Sequence, residues 1–63
     1  MNKEDFSAVF EAVQFGYIDS CNTERMVFRF DSDSELIDDS LRIKQLGFKA
    51  VSVMKNLTLT VSK

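Results

Sequence analysis

One four-residue pattern occurs twice in this chain, as QFGY at residues 14–17 and again as QLGF at residues 45–48. Each copy follows an amphipathic stretch and precedes a run rich in β-branched and aromatic residues. A glycine just after the last helical residue often takes the left-handed conformation that ends a helix, and the next apolar residue packs back on the final turn. We therefore predict that Gly16 and Gly47 end two helices with positive φ angles, and that a strand follows each of them.

The two copies divide the chain into similar halves, residues 2–30 and residues 32–62, each with the pattern helix, strand, strand. Sixty-three residues suffice for a single small α+β domain over 1–63, which buries roughly 60% of its unfolded surface. The predicted fold is a two-layer sandwich with the order α-β-β-α-β-β. Both helices then cover one face of a four-stranded antiparallel sheet, because elements with one apolar side bury it most simply in two layers.

A capping box opens the first predicted helix, with Asn2 before it and Asp5 three residues later. A strand over residues 17–21, a hairpin loop over residues 22–24 and a partner strand over residues 25–30 complete this half. Apolar residues of the helix recur at the spacing i, i+3, i+4 and i+7, which places them on one core-facing stripe: Phe6, Val9, Phe10 and Val13.

An alternative interpretation extends the first helix through Gly16, because Tyr17 and Cys21 continue the same apolar spacing. The chain then has the order α-β-α-β-β with three strands instead of four. In that arrangement the second helix connects two strands as a right-handed crossover.

The second half carries clearer signals, beginning with a capping box at Ser32 and Glu35. Residues 48–54 and 57–61 are predicted strands joined by a turn at residues 55–56, and the last strand alternates strictly between apolar and hydroxyl residues. The helix between them has a wide apolar arc: Leu36, Ile37, Leu41, Ile43 and Leu46. We expect the sheet to face the helices with Phe28, Phe30, Leu57, Leu59 and Val61.

Charge is distributed unevenly along the chain. Residues 31–40 hold five acids and no base, whereas residues 41–63 hold five bases and no acid. Acids in the first turn of a helix interact favourably with the helix dipole, which explains part of this run. A second interpretation is an acidic edge that meets a basic partner, formed by Asp31, Asp33, Glu35, Asp38 and Asp39.

The residue types on which most enzymes and metal sites depend are scarce here. There is no histidine and one cysteine, Cys21, so the commonest general base and the usual zinc ligands are missing. Residues 31–35 resemble the start of a calcium loop, but Arg42 stands where the final acid is needed. Asp38 and Asp39 point about 100° apart on a helix and cannot share a substrate atom. We predict no catalytic residue, no metal and no cofactor, and a buried or half-buried Cys21.

Binding is the function that this pattern favours. Strand alternation predicts a sheet face, opposite the helices, that mixes valines with arginines and threonines. Such a face in a small protein often lies against another protein or a second copy of itself. We predict a non-enzymatic protein-binding module, acting as an adaptor, inhibitor or regulator, whose partner-binding residues are Arg25, Val27, Arg29, Val51 and Val53.

Two other classes remain open at this point, a nucleic-acid-binding protein that uses the open sheet face and a structural subunit of a homo-oligomer. A pI near 4.9 opposes phosphate binding, and the predicted inward direction of Phe28 and Phe30 removes stacking platforms. The first residues do not resemble a secretory signal, no apolar run is long enough to cross a membrane, and one cysteine suits a reducing compartment, so we expect a cytoplasmic protein. Its size and type are common among accessory proteins of phages and mobile elements.

Overall fold

A computed structural model describes residues 1–63 and contains two helices and four strands in the predicted order. The predicted α+β class and four-stranded sheet are confirmed. The alternative with a helix running to Cys21 is wrong, because residues 17–21 form a strand. The elements are α1 (Lys3–Ala12), β1 (Tyr17–Cys21), β2 (Arg25–Arg29), α2 (Asp33–Gln45), β3 (Lys49–Val53) and β4 (Thr58–Ser62).

The sheet has the strand order β1-β2-β4-β3, and every neighbouring pair is antiparallel. Each half of the chain supplies one hairpin, and β2 and β4 join the two hairpins in the middle. Phe28 pairs with Leu59 at the centre of that junction. Phe28 and Leu59 are 31 residues apart in the chain, as are Gly16 and Gly47. Corresponding positions of the two halves therefore meet where the halves join.

The core lies between the inner face of the sheet and one stripe of each helix. A half-exposed Phe10 borders it, with its ring edge-on to Phe28 at a centroid distance of 6.1 Å. Burial of each large apolar side chain stabilises the fold by about 1.5–3 kcal/mol. The eight buried apolar residues are Val9, Met26, Phe28, Phe30, Leu36, Ile43, Leu59 and Val61.

Helix α2 buries a narrower and more polar stripe than the predicted arc. Leu36 and Ile43 are buried, but the two positions between them at helical spacing are Asp39 and Ser40, which are buried as well. The predicted core positions Ile37, Leu41 and Leu46 instead lie about half exposed. The apolar arc was misleading because a buried carboxylate and hydroxyl occupy the middle of the stripe that faces the core.

The two repeated glycines serve different purposes. Gly47 has a φ of 96° after the end of α2, as predicted. Gly16 has no positive φ, and α1 ends earlier, at Ala12, with Val13 as its C-cap, so the predicted helix cap at Gly16 is wrong. A Cβ at Gly16 would lie 2.5 Å from Cζ of Phe30. Glycine is required there because the loop passes directly over a buried ring.

The remaining differences lie at element ends. The capping box of Asn2 and Asp5 is confirmed, with backbone-to-side-chain distances of 2.8 and 3.1 Å. Ser32 accepts the Glu35 amide at 3.4 Å. The second hairpin turns over residues 54–57, not over residues 55–56 alone, because Leu57 has a φ of 52° and stands outside β4. Its carbonyl accepts the Phe30 amide at 2.9 Å, which extends the pairing of the two halves.

Candidate functional site

The face of the sheet that points away from the helices is open. On it lie all five residues predicted to bind a partner, because each alternates with a buried position of its strand or pairs with a residue that does. The register aligns this outer sheet face in three rows across β2, β4 and β3: Arg29, Thr58 and Val53; Val27, Thr60 and Val51; Arg25, Ser62 and Lys49.

The middle row of the outer sheet face is its apolar part. Val51 is 61% exposed, and Val27 is half-buried across Thr60 from it. Basic side chains surround this row on strands β2 and β3, and Arg29 lies 3.9 Å from the carboxylate of Asp19 in an exposed ion pair. The face therefore combines an apolar centre with a largely basic margin.

Tyr17 extends the outer sheet face onto strand β1. It pairs with Arg29 in the sheet, is about half exposed, and its hydroxyl lies 3.5 Å from a carboxylate oxygen of Asp31. As the residue after Gly16, Tyr17 is predicted to pack back on the last turn of the first helix, and this contact is ruled out because α1 ends at Ala12. Asp19 and Asp31 give this end of the face an acidic border.

The predicted acidic edge is only partly an edge. Asp31, Asp33 and Asp38 are exposed and Glu35 is half-buried. Asp39 has no exposed surface at all, so its assignment to a surface that meets a partner is wrong. Its carboxylate can turn inward because three amides of the neighbouring loop and the Arg42 side chain replace the hydrogen bonds that it would make to water.

Asp39 binds the loop that connects α1 to β1. Its Oδ1 accepts the amide of Gln14 at 3.1 Å, and its Oδ2 accepts the amides of Phe15 and Gly16 at 3.0 Å each. Arg42 donates to the same carboxylate from one turn further along α2. A buried carboxylate is tolerated when donors and a counter-charge surround it in this way.

Arg42 completes the connection between the helices. Its Nε donates to the carbonyl of Ala12, the last residue of α1, at 3.0 Å, and its Nη1 donates to Asp38 at 3.0 Å. The guanidinium also lies 5.7 Å from the centre of the Phe15 ring, within the range of a cation–π contact. One side chain thus fixes the end of α1, the carboxylate of Asp39 and the ring of Phe15.

The pKa values follow from this geometry. Burial alone raises the pKa of Asp39, but the amides of Phe15 and Gly16, the Arg42 side chain and the Gln14 amide together outweigh it, so the pKa lies below the ordinary 3.8. Hydrogen bonding to Asp39 is the main reason that the pKa of Arg42 is raised. Both groups are charged at neutral pH.

A groove lies on the exposed side of α2. Its apolar side chains are Phe15, Ile37 and Leu41, which are 44%, 49% and 54% exposed, and its cavity volume is about 430 Å³. Its polar lining is Ser34, Glu35 and Asp38. We did not predict this groove. The signal in the sequence is the pair Ile37 and Leu41, one helical turn apart and interleaved with acids, which has the composition of core residues.

The remaining predictions about metal binding, the thiol and membrane spans concern single features of the structure. Nowhere do three or more cysteine, aspartate or glutamate side chains converge in the way that metal binding requires. Cys21 is exposed, which corrects the expectation of a buried or half-buried thiol. Neither helix is both long and apolar enough to span a bilayer.

Comparisons with protein-family models, with curated proteins and with solved structures gave no match to this chain. Function is therefore argued from the two surfaces described above, the outer sheet face and the groove on α2.

Proposed function

We propose that the protein is a small non-enzymatic binding module that recognises another protein through its outer sheet face and acts as an adaptor, inhibitor or regulator of that partner. The observation that carries the proposal is the uncovered row of Val27, Thr60 and Val51 with arginines and a lysine at its margin. Protein interfaces have this composition, with an apolar centre that excludes water and a polar rim that sets orientation.

The charge of the face indicates the kind of partner. Arg25 and Lys49 occupy one end of it, and Arg29 is compensated by Asp19 only at 3.9 Å and in an exposed position. A partner with carboxylates opposite these three basic groups is favoured by electrostatic complementarity. A second copy is the weaker alternative, because a two-fold contact buries the same basic residues from both chains in one interface.

A nucleic acid fits this face less well than a protein does. Tyr17 is its only aromatic residue, and the carboxylates of Asp19 and Asp31 lie beside it. The chain as a whole carries a net charge of −2, which repels phosphate. We further propose a cytoplasmic location, where the exposed thiol of Cys21 stays reduced.

The test reverses two charges on the face with Arg25→Glu and Arg29→Glu in one chain. Both side chains are exposed, so unfolding free energy should change by only about 0.5 kcal/mol per site. Binding should fall strongly, because like charges then face the partner. The matched control is Lys3→Glu with Lys44→Glu, which makes the same change in net charge on the exposed sides of the two helices.

Affinity purification with quantitative mass spectrometry compares the three proteins, and sedimentation velocity compares their masses. We expect the parent and the control to recover the same protein and the sheet-face variant to lose it. If the sheet-face variant folds and recovers the same protein as the parent, the proposal is wrong. If the parent and the control sediment with twice the mass of one chain and the sheet-face variant does not, the partner is a second copy of the chain.

A further inference from the structure

We propose that the groove on α2 is a second interaction surface, independent of the outer sheet face, and that it binds a short basic amphipathic helix of a partner protein. Phe15, Ile37 and Leu41 form its apolar floor, and Glu35 and Asp38 are part of its wall. Exposed apolar side chains grouped around a concave site are the usual anchor for a partner's apolar side chains.

The groove is held in shape before any partner arrives. The backbone amide of Phe15 is bonded to the buried carboxylate of Asp39 at 3.0 Å, and its ring lies against the Arg42 guanidinium at 5.7 Å. Ile37 and Leu41 lie one turn apart on the same helix. Because the backbone that carries these side chains is already fixed, association has a smaller ordering cost.

The backbone around the groove indicates a helical occupant. Five of the six lining residues belong to α2, whose backbone groups beyond the first turn bond within the helix. No strand edge lies in the lining, so an extended peptide would gain no ladder of backbone bonds. An amphipathic helix satisfies its own backbone and presents apolar side chains at i, i+3 and i+4, which can pack together on the clustered apolar side chains of the groove.

Charge complementarity indicates that the partner's helix is basic. Glu35 and Asp38 line the groove, and Asp31 and Asp33 precede it in the same acidic run. The nearest base, Arg42, is already engaged by Asp38, Asp39 and the carbonyl of Ala12. Glu35, Asp31 and Asp33 have no ion-pair partner, so their carboxylates repel nucleic acid and anionic lipid surfaces and attract lysine and arginine.

The chain does not contain such a helix itself. Helix α1 carries three acids and one base, and α2 carries the groove. The basic part of the chain beyond α2 forms strands β3 and β4. A second copy of these residues therefore lacks the required element, so the proposed occupant is a partner protein.

The probe is a synthetic 14-residue peptide of leucine and lysine with leucines at helical spacing, labelled for fluorescence anisotropy. Two further peptides serve as references, one with the same composition in scrambled order and one with glutamate in place of lysine. We expect the amphipathic lysine peptide to bind at least about tenfold more tightly than either, with affinity falling as salt rises. Equal binding of the lysine and glutamate peptides would overturn the proposal.

Variants then locate the site. The double variant Ile37→Ala with Leu41→Ala should lower the affinity for the lysine peptide by about tenfold or more. The single variant Leu41→Lys should lower it by about as much. Leu46→Ala is the matched control, because Leu46, the C-cap residue of α2, is equally exposed, 51%, but lies outside the groove, and it should leave the affinity unchanged. Glu35→Gln should lower the affinity for the lysine peptide and make that affinity less dependent on salt concentration.

Amide chemical shifts of the whole protein, measured with and without the lysine peptide, show whether the peptide binds in the groove on α2 or on the outer sheet face. Shifts centred on Phe15, Ile37 and Leu41 support the proposal, and shifts centred on strands β2 to β4 overturn it. The sheet-face variant Arg25→Glu with Arg29→Glu should bind the peptide at least as well as the parent does. Failure of the outer sheet face as an interface and failure of the groove are therefore separate results.

Discussion

At the scale of single residues, the side chain of Asp39 fixes the loop that connects α1 to β1. Its carboxylate is fully buried, accepts three consecutive backbone amides and pairs with Arg42. Hydrogen bonds to an ionised acceptor are worth more than neutral ones, and a buried donor left without a partner costs about 1–3 kcal/mol. The position of the loop before β1 thus depends on one side chain of α2.

Replacing that carboxylate should be severe. Asp39→Asn keeps the size but removes the charge and turns an amide toward its donors, so we expect a loss of about 3 kcal/mol in unfolding free energy at pH 7. Chemical denaturation measures it. Asp38→Asn is the control, because Asp38 is half exposed in its pair with Arg42, and it should cost under about 0.5 kcal/mol.

The same comparison has a predicted pH dependence. The pKa of Asp39 is lowered in the folded protein, so its contribution is complete above its ordinary value of 3.8 and is lost as the pH falls through the folded pKa. The stability difference between the parent and Asp39→Asn should therefore be constant from pH 7 to about pH 5 and shrink below pH 3.8. A difference that grows on acidification would contradict this account of Asp39.

The two glycines should respond to alanine for different reasons. Gly16→Ala places a methyl 2.5 Å from the buried Phe30 ring and should cost about 2 kcal/mol by overpacking. Gly47→Ala meets no atom within 4 Å, so only the positive φ opposes it, and about 1 kcal/mol is expected.

A double-mutant cycle with Phe30→Leu separates the two causes by thermal or chemical denaturation. Leucine lacks the ring atom that meets the new methyl, so the cost of Gly16→Ala should shrink in that background while the cost of Gly47→Ala stays the same. Equal costs for Gly16→Ala in both backgrounds would show that its backbone, not the ring, requires glycine.

At the scale of elements, helix α1 depends on α2 for its C-terminal end. It is ten residues long and has no basic residue in its last turn, so its own sequence does little to stabilise its final carbonyls. Arg42 supplies that function from α2 by donating to the carbonyl of Ala12 at 3.0 Å. The junction of the two helices is thus a polar one at this end, whereas the rest of the core is apolar.

Arg42→Lys tests this role because it retains the charge and removes the fork of donors. We expect the amides of Gln14, Phe15 and Gly16 to exchange with solvent roughly tenfold faster, relative to the amides of β2 and β4. Native-state hydrogen exchange followed by NMR measures both sets at once. Uniform acceleration across the sheet and the loop would instead indicate that Arg42 stabilises the fold as a whole.

The elements were predictable from the sequence, whereas their polar connections were not. Alternation from Thr58 to Ser62 and the cap at Asn2 are local, and local rules locate them to within a residue or so. The burial of Asp39 depends on loop amides more than twenty residues away, and no periodicity records such a contact. Alternation predicts Leu57 in the last strand, but its φ of 52° places it in the turn before β4, and a hydrophobicity pattern does not record such a backbone angle.

The candidate surfaces divide in the same way. Strand alternation located the outer sheet face with its arginines and valines, because a side chain's face depends only on register. The groove on α2 was missed because Ile37 and Leu41 have the composition of core residues. Which of two apolar stripes a helix buries is decided by the buried polar pair Asp39 and Ser40, and thus by tertiary contacts.

At the scale of the whole molecule, charge is separated between the layers. The outer sheet face carries Arg25, Arg29 and Lys49, while the exposed side of α2 carries most of the acidic run. With a net charge of −2, long-range attraction to polyanions is absent and recognition depends on the local field of each surface.

Heparin chromatography tests this balance. The parent should pass through the column at low salt, because Asp19 and Asp31 border the one basic face. Asp19→Asn with Asp31→Asn should increase retention, whereas Glu4→Gln with Glu11→Gln, the same charge change on the exposed side of α1, should increase it less. Firm retention of the parent would favour a nucleic-acid-binding role over a protein-binding one.

The junction of β2 with β4 has a consequence for how the chain can be divided. Each half keeps its own helix and hairpin, and the sheet continues across the middle only through this one pair of strands. A cut at Asp31 would leave two fragments that each expose one unpaired strand complementary to the other. Joined to two different proteins, such fragments should pair more readily when their carriers come together, so the fold offers a compact split reporter of proximity.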